Sequence, residues 1–316
     1  MKILCFLKLF FHKNKAGAEA YIYRLLIDLK KKYNHAIINV LIPNSNEIKD
    51  YYIDNNKDIQ IFETTEDIKT CLNYIDKCDL LITQLNYLPV ATAYAIEKNI
   101  RIINIYHGFL ENSFNNYIKN DKIIKIFNSN NIFKKYENYL NYKIKNSFII
   151  NPYIDYEKYN DYFKNVENRV YITFVNPLKN KGVDVVVELA KYYKNKKFLI
   201  VKGGYQKDQQ DIKSFKKLPN CHIIENTNDM INNVYLKSKI ILMPSHYESY
   251  GMVSAEAQCF GIPAICNEFS EGLKENNGKI NLYGKTYDKV NKVNIKSYIE
   301  KIDLLDHKET YILWSD

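Results

Sequence analysis

Two glutamates, Glu248 and Glu256, are separated by seven residues in the run Pro244-Ser245-His246-Tyr247-Glu248-Ser249-Tyr250-Gly251-Met252-Val253-Ser254-Ala255-Glu256. The apolar stretch Ile240-Ile241-Leu242-Met243 before it reads as a buried strand, stopped by Pro244 and Ser245. Gly251 then opens a short amphipathic helix ending near Phe260. One carboxylate therefore stands in the strand-to-helix loop and the other about two turns further along. Between them Ser249, Tyr250, Gly251, Met252 and Val253 form a helix start, where unpaired N–H groups and the positive dipole end attract phosphate. Carboxylates accept hydrogen bonds from vicinal hydroxyls. Phosphate and hydroxyl contacts side by side are what a nucleotide sugar requires.

Three other strand ends carry candidate groups. Val175-Asn176-Pro177-Leu178-Lys179-Asn180-Lys181-Gly182 follows a strand and opens a helix, so the Lys181 ammonium adds a point charge where phosphate is already favoured. Ala16-Gly17-Ala18-Glu19 follows the first strand, and Gly17 lets backbone approach a ligand closely. An ordinary turn with Glu19 complementing the helix dipole fits those residues equally well. His107, in Ile105-Tyr106-His107-Gly108, ends a buried strand, where imidazole can contact a ligand or bond to the loop backbone.

Pro-Ser-x-x-Glu-x-x-Gly, then Glu256-Ala257 and Gly261-Ile262-Pro263-Ala264, resembles the nucleotide-sugar signature of retaining GT-B glycosyltransferases of the large group 1 family. Lys181-Gly182 resembles that family's Lys-Gly, Gly17 sits in a variant of its Gly-Gly-x-Glu, and Gly272-Leu273-Lys274-Glu275 resembles its Gly-Leu-x-Glu. The likeness spans most of the chain and is specific in residues 175–275. It implies an α/β fold of two facing, doubly wound Rossmann-like domains with a cleft between them. It implies transfer of a sugar from a nucleoside diphosphate sugar to a glycan, lipid or protein-linked acceptor, with retention of configuration. The catalytic residues it implies are His107, Lys181 and Glu248. The donor-binding set is Gly17, Asn176, Lys181, Glu248, Ser249, Tyr250, Gly251, Met252, Val253 and Glu256. No cofactor or metal is implied beyond the donor, and no strand-end Asp-x-Asp stands in the sequence. Two departures matter: Ala16 replaces the family's first glycine, and Asn176 replaces an arginine that many members use as a second cation. A GT-B-like sugar-nucleotide epimerase and a non-catalytic glycan- or partner-binding protein stay open as alternatives. Asn176, and the little chain left before Asp316 for the C-terminal helix that in the family crosses back to the first domain, keep the second of these open.

These residues need elements to hold them. Strands are expected over 2–11, 36–42, 59–62, 80–83, 100–106, 123–127 and 148–150, with helices over 19–33, 67–77, 89–98 and 131–139. The second half repeats the scheme, with strands over 170–175, 198–201, 222–224, 240–243 and 264–266 and helices over 183–193, 229–236, 252–260 and 295–305. Short apolar runs separated by helices read as fully buried parallel strands. At 316 residues the chain suits two domains, 1–157 and 168–316, joined by the polar stretch 155–169.

The net charge of +9 comes from scattered lysines. It suits a solvated surface, an anionic donor or loose peripheral association with an anionic membrane, and it lacks the patch that nucleic-acid binding needs. The six cysteines include no Cys-x-x-Cys pair, so reduced core residues in a reducing compartment are expected. Lys8 interrupts the apolar start, which reads as a first strand and not a signal peptide; with no stretch of ~20 apolar residues, a cytoplasmic location is the expectation.

Overall fold

The structure is a computed structural model and describes residues 1–10, 17–53, 59–110, 115–154, 169–204, 206–276, 282–286 and 293–306. The chain divides into two compact units, Met1–Tyr153 and Ile154–Asp316.

The first unit is built on β1 (Lys2–Phe6), β2 (Ile37–Ile42), β3 (Lys49–Ile53), β4 (Ile59–Glu63), β5 (Leu80–Gln84), β6 (Arg101–Tyr106), β7 (Ile124–Phe127) and β8 (Ser147–Ile149). Its helices are α1 (Gly17–Lys32), α2 (Ile68–Cys71), α3 (Leu88–Glu97), α4 (Asn115–Ile118) and α5 (Asn130–Leu140). The sheet order is β3-β4-β2-β1-β5-β6-β7-β8, parallel throughout except for β3 against β4. A central strand with helices on both faces must be apolar on both. In β1, Ile3 and Cys5 pack with Tyr21, Ile22 and Leu26 of α1, while Leu4 and Phe6 pack with Ala91 and Ala95 of α3. Each such large side chain contributes about 1.5–3 kcal/mol.

The second unit repeats the plan with β9 (Tyr171–Val175), α6 (Val183–Tyr192), β10 (Lys197–Val201), α7 (Ile212–Lys216), β11 (Cys221–Ile224), α8 (Met230–Asn233), β12 (Ser238–Met243), α9 (Met252–Gln258), β13 (Ala264–Asn267), α10 (Glu271–Glu275), β14 (Leu282–Gly284) and α11 (Lys296–Asp306). Its six strands run in the order β11-β10-β9-β12-β13-β14, all parallel. Phe198 and Ile200 of β10 face α6 and α11, while Leu199 and Val201 share the opposite layer with α9.

Several expectations need correction. The first strand stops at Phe6, because Lys8 and Leu9 turn out to solvent; residue 11 lies outside the described residues. The strands are not all buried and parallel: β3 is antiparallel and largely exposed, and β8 exposes Phe148 and Ile149. The 67–77 helix is one turn, α2, running into a 3-10 stretch over Leu72–Lys77. The 229–236 helix likewise breaks at Val234 into the 3-10 turn Tyr235–Lys237. Of the stretch 155–169, residues 155–168 lie outside the described residues. Arg169, at the end of that stretch, is buried and donates from Nη1 to the Phe260 carbonyl at 2.7 Å. All six cysteines are free thiols.

Candidate functional site

In the second unit the strand order reverses between β9 and β12, so the loops leaving their carboxyl ends diverge from a crevice that in open α/β sheets receives ligand. The two strands are in register, with Phe174 beside Leu242. Their loops therefore start at one level.

Past β9, Asn176 turns the chain through a positive φ of 63°. Asparagine is among the few non-glycine residues that tolerate this conformation. Its N–H donates to the Val201 carbonyl at 2.8 Å and its carbonyl accepts from Leu178 at 2.7 Å. The side chain is 7% exposed and lies over Gly203, where an added Cβ would meet Oδ1 at 2.3 Å. Among the described residues that oxygen has no hydrogen-bond partner. Asn176 is thus used here to shape the turn.

A 3-10 turn over Lys179–Lys181 follows and ends at Gly182, whose φ is 78°. A side chain at 182 would collide with the Pro244 carbonyl, 2.5 Å from its Cβ, and the His246 N–H donates to Asn180 O at 3.0 Å. The loops from β9 and β12 are locked together at these points. The lock brings Lys181 Nζ to 2.6 Å from Glu248 Oε1, with side-chain exposures of 19% and 12%. The Ser245 hydroxyl donates to the same oxygen at 2.7 Å, and Ser270 Oγ accepts from the Glu248 N–H at 3.1 Å. Burial, and after it the Glu248 charge, pushes the Cys266 thiol up.

Gly251, with φ of 87°, enters α9 without a side-chain cap. Asn276 Nδ2 holds this turn from behind, donating to the carbonyls of Tyr250 (2.6 Å) and Gly251 (2.8 Å) and to Ser254 Oγ (2.8 Å). The carbonyls are tied back by a side chain that sequence reading passed over. The helix closes on Gly261, φ 64°, with Ile262 N–H bonded to Ala257 O and Gly261 N–H to Gln258 O, the Schellman pattern. Glu256 is placed by α9 and accepts from the Tyr235 hydroxyl at 2.5 Å. Lys181, Glu248 and the α9 start stand on the β9–α6 and β12–α9 connections of one sheet, and Glu256 stands a turn further along α9.

Gly17 and His107 belong to the first unit. Gly17 is the first residue of α1, and Ala16 lies outside the described residues. Glu19 stands in the first turn of α1, where an acidic side chain complements the helix dipole. It is 5% exposed, and burial pushes its carboxyl up. His107 leaves the end of β6, half-buried, with Nε2 2.6 Å from Gln84 Oε1. The Tyr21 ring meets it edge-on at 5.0 Å, and burial lowers the imidazole to about 3, so it is neutral. Gln84 was not anticipated; no local motif marks it, because its partner lies 23 positions away.

Residues 155–309 match the family model for glycosyl transferases group 1. This second unit belongs to the group 1 glycosyltransferases. An uncharacterized glycosyltransferase of Haemophilus influenzae is 27% identical over 165 residues, covering 48% of this chain and 43% of the relative. The capsular polysaccharide biosynthesis glycosyltransferase CapM of Staphylococcus aureus is 27% identical over 157 residues, covering 47% and 40%. The matches therefore span less than half the length of these curated relatives. Among solved structures, Anabaena HepE in complex with UDP and glucose superposes with a TM-score of 0.72 at 14% identity, covering 98% of this chain and 90% of that one. Two doubly wound, parallel-sheet α/β units are the GT-B architecture, which the chain shares with such structures.

The group 1 unit also carries a cavity of about 360 Å³ on the β11 side of its sheet, lined by Tyr171, His222, Glu225 and Lys237 among others. It includes neither Lys181 nor Glu248. Among the described residues no three His, Cys, Asp or Glu side chains come together to hold a metal, and no helix is long and apolar enough to cross a membrane.

Proposed function

We propose that this chain transfers a sugar from a nucleoside diphosphate sugar to a glycan, lipid or protein-linked acceptor, with retention of configuration and without a metal. The observation that carries the reading is the convergence of Lys181 and Glu248 at 2.6 Å on the topological switch point of the second sheet. In the free protein the two side chains neutralise each other. The donor's diphosphate offers Lys181 a stronger anion, and the sugar hydroxyls offer Glu248 donors in its place.

Glycosyl transfer passes through an oxocarbenium-like state while negative charge builds on the departing diphosphate. Stabilising that leaving group is the largest task, and it falls to Lys181 with the N–H groups around Tyr250–Val253. Asn176, neutral and shaping its turn, adds no second charge. Glu256 holds the ribose, Gly17 gives the donor phosphates or the acceptor close access to backbone, and His107 contacts the transferred sugar. Turnover of a panel containing UDP-glucose, UDP-N-acetylglucosamine and GDP-mannose, with and without EDTA, tests this reading. Lys181→Ala should lower kcat/KM for the accepted donor by about 10²-fold or more, with EDTA having no effect. Equal turnover by both proteins would remove Lys181 from the mechanism. An epimerised donor appearing without acceptor would replace transfer by epimerisation.

A further inference from the structure

We propose that Gln84 is a positioning residue that fixes His107 as the Nε2–H tautomer, so that the ring offers Nδ1 as a hydrogen-bond acceptor to a sugar hydroxyl and does not act as an acid. The inference rests on the donor-site role given to His107 above, but its first test does not.

The side-chain oxygen of glutamine can only accept, so with the Gln84 amide oriented to present Oε1, the 2.6 Å contact places the proton on Nε2. A neutral imidazole has one N–H, and its other nitrogen then carries a lone pair. Gln84 is built to make this choice firmly. It is 3% exposed, ends β5 in register with Ile105 of β6, and is followed by Leu85 at a φ of 49°. A leucine in the left-handed region costs of order 1–3 kcal/mol and persists only where its surroundings over-determine it. The His107 carbonyl is held separately by Asn128 Nδ2 at 3.2 Å. From α1 the titratable group against the ring is Tyr21, whose phenol is kept neutral by burial and donates to the Ile150 carbonyl at 2.9 Å. Glu19, on the same helix, is buried with its carboxyl pushed up.

The consequence is chemical. An imidazolium could only donate, and it would repel the positive charge that develops on a sugar ring during transfer. A neutral acceptor binds a hydroxyl without that repulsion.

The experiment is long-range ¹H–¹⁵N correlation of histidine-labelled full-length protein without substrate. Wild type should show His107 protonated at Nε2 alone from pH 8 to below pH 5. Gln84→Glu places a carboxylate at the same distance, which favours the charged ring. The ring should then take up its second proton at a higher pH than in wild type, with transfer falling as pH drops through the raised value and recovering above it. Gln84→Met should mix the tautomers and lower kcat about tenfold, the worth of one hydrogen bond, while the melting shift with UDP stays as in wild type. An Nδ1–H tautomer in wild type, or a Gln84→Glu spectrum unchanged from wild type, overturns the proposal. The expected tautomer with no effect of His107→Ala on turnover would instead sink the donor-site role and leave the tautomer assignment standing.

Discussion

A Cβ on Gly272 would lie 2.1 Å from the Glu248 carbonyl oxygen and 2.7 Å from the Ser249 carbonyl carbon. Backbone on both sides makes this contact rigid, so Gly272→Ala must push the Glu248 loop away. Overpacking of this kind costs about 1–3 kcal/mol. A displacement of about 1 Å at a positioning group lowers turnover by about 10²-fold. We expect Gly272→Ala to lower the melting temperature by several degrees and to lose most of its activity. Gly108→Ala, where no described residue lies within 4 Å of the added atom, should melt with wild type. Thermal unfolding and turnover on the two variants check this. The Gly-Leu pair at 272–273 was legible in the sequence as a likeness without a reason. The reason is contact: Gly272 seats the Glu248 carbonyl, and Leu273 fills the space beside Gly251. Lys181 and Glu248 were legible for the opposite reason, since each is set by its own strand-to-helix connection. Gln84 was not legible, because a buried amide paired across a sheet leaves no local pattern.

At the scale of elements, α9 is seven residues long and cannot hold its own entry turn. Asn276, at the carboxyl end of α10, does so with three hydrogen bonds to Tyr250 O, Gly251 O and Ser254 Oγ. Asn276→Ala removes the amide from the Tyr250 carbonyl, at a cost of about 1–3 kcal/mol, while the Gly251 carbonyl keeps the Ala255 N–H and the Ser254 hydroxyl. Asn276→Asp should be worse, since a carboxylate would face two carbonyl oxygens. Denaturant unfolding should rank wild type above Asn276→Ala above Asn276→Asp, with the midpoint moving and the slope constant. The central strands were readable because burial on both faces writes a continuous apolar run, as in Ile3–Phe6 and Phe198–Val201. The edges were not. The strand Lys49–Ile53 is charged and half-exposed, Leu282–Gly284 has three residues, and α4, α7 and α10 are one-turn helices too short to show a period.

For the whole molecule, two units with separate cores should unfold as two cooperative transitions and not as one. A ligand that binds only the native form of one unit stabilises that unit by about 2.7 kcal/mol at a hundredfold excess over Kd. The diphosphate groups proposed here, Lys181 and the α9 start, lie in the second unit. UDP, GDP or ADP should therefore raise one calorimetric transition and leave the other in place. For a unit of about 150 residues, that free energy corresponds to a rise of roughly 5–10 °C. The nucleotide that produces the rise identifies the donor base. The shift should shrink with added salt, because much of the attraction is between an anion and a single lysine on a chain of net charge +9. Lys181→Ala should abolish most of the shift while leaving the nucleotide-free transitions near their original temperatures, since only a partly exposed ion pair is lost. A nucleotide that moves neither transition at millimolar concentration would remove the nucleotide sugar from the reading. A rise confined to the other transition would place the donor in the first unit.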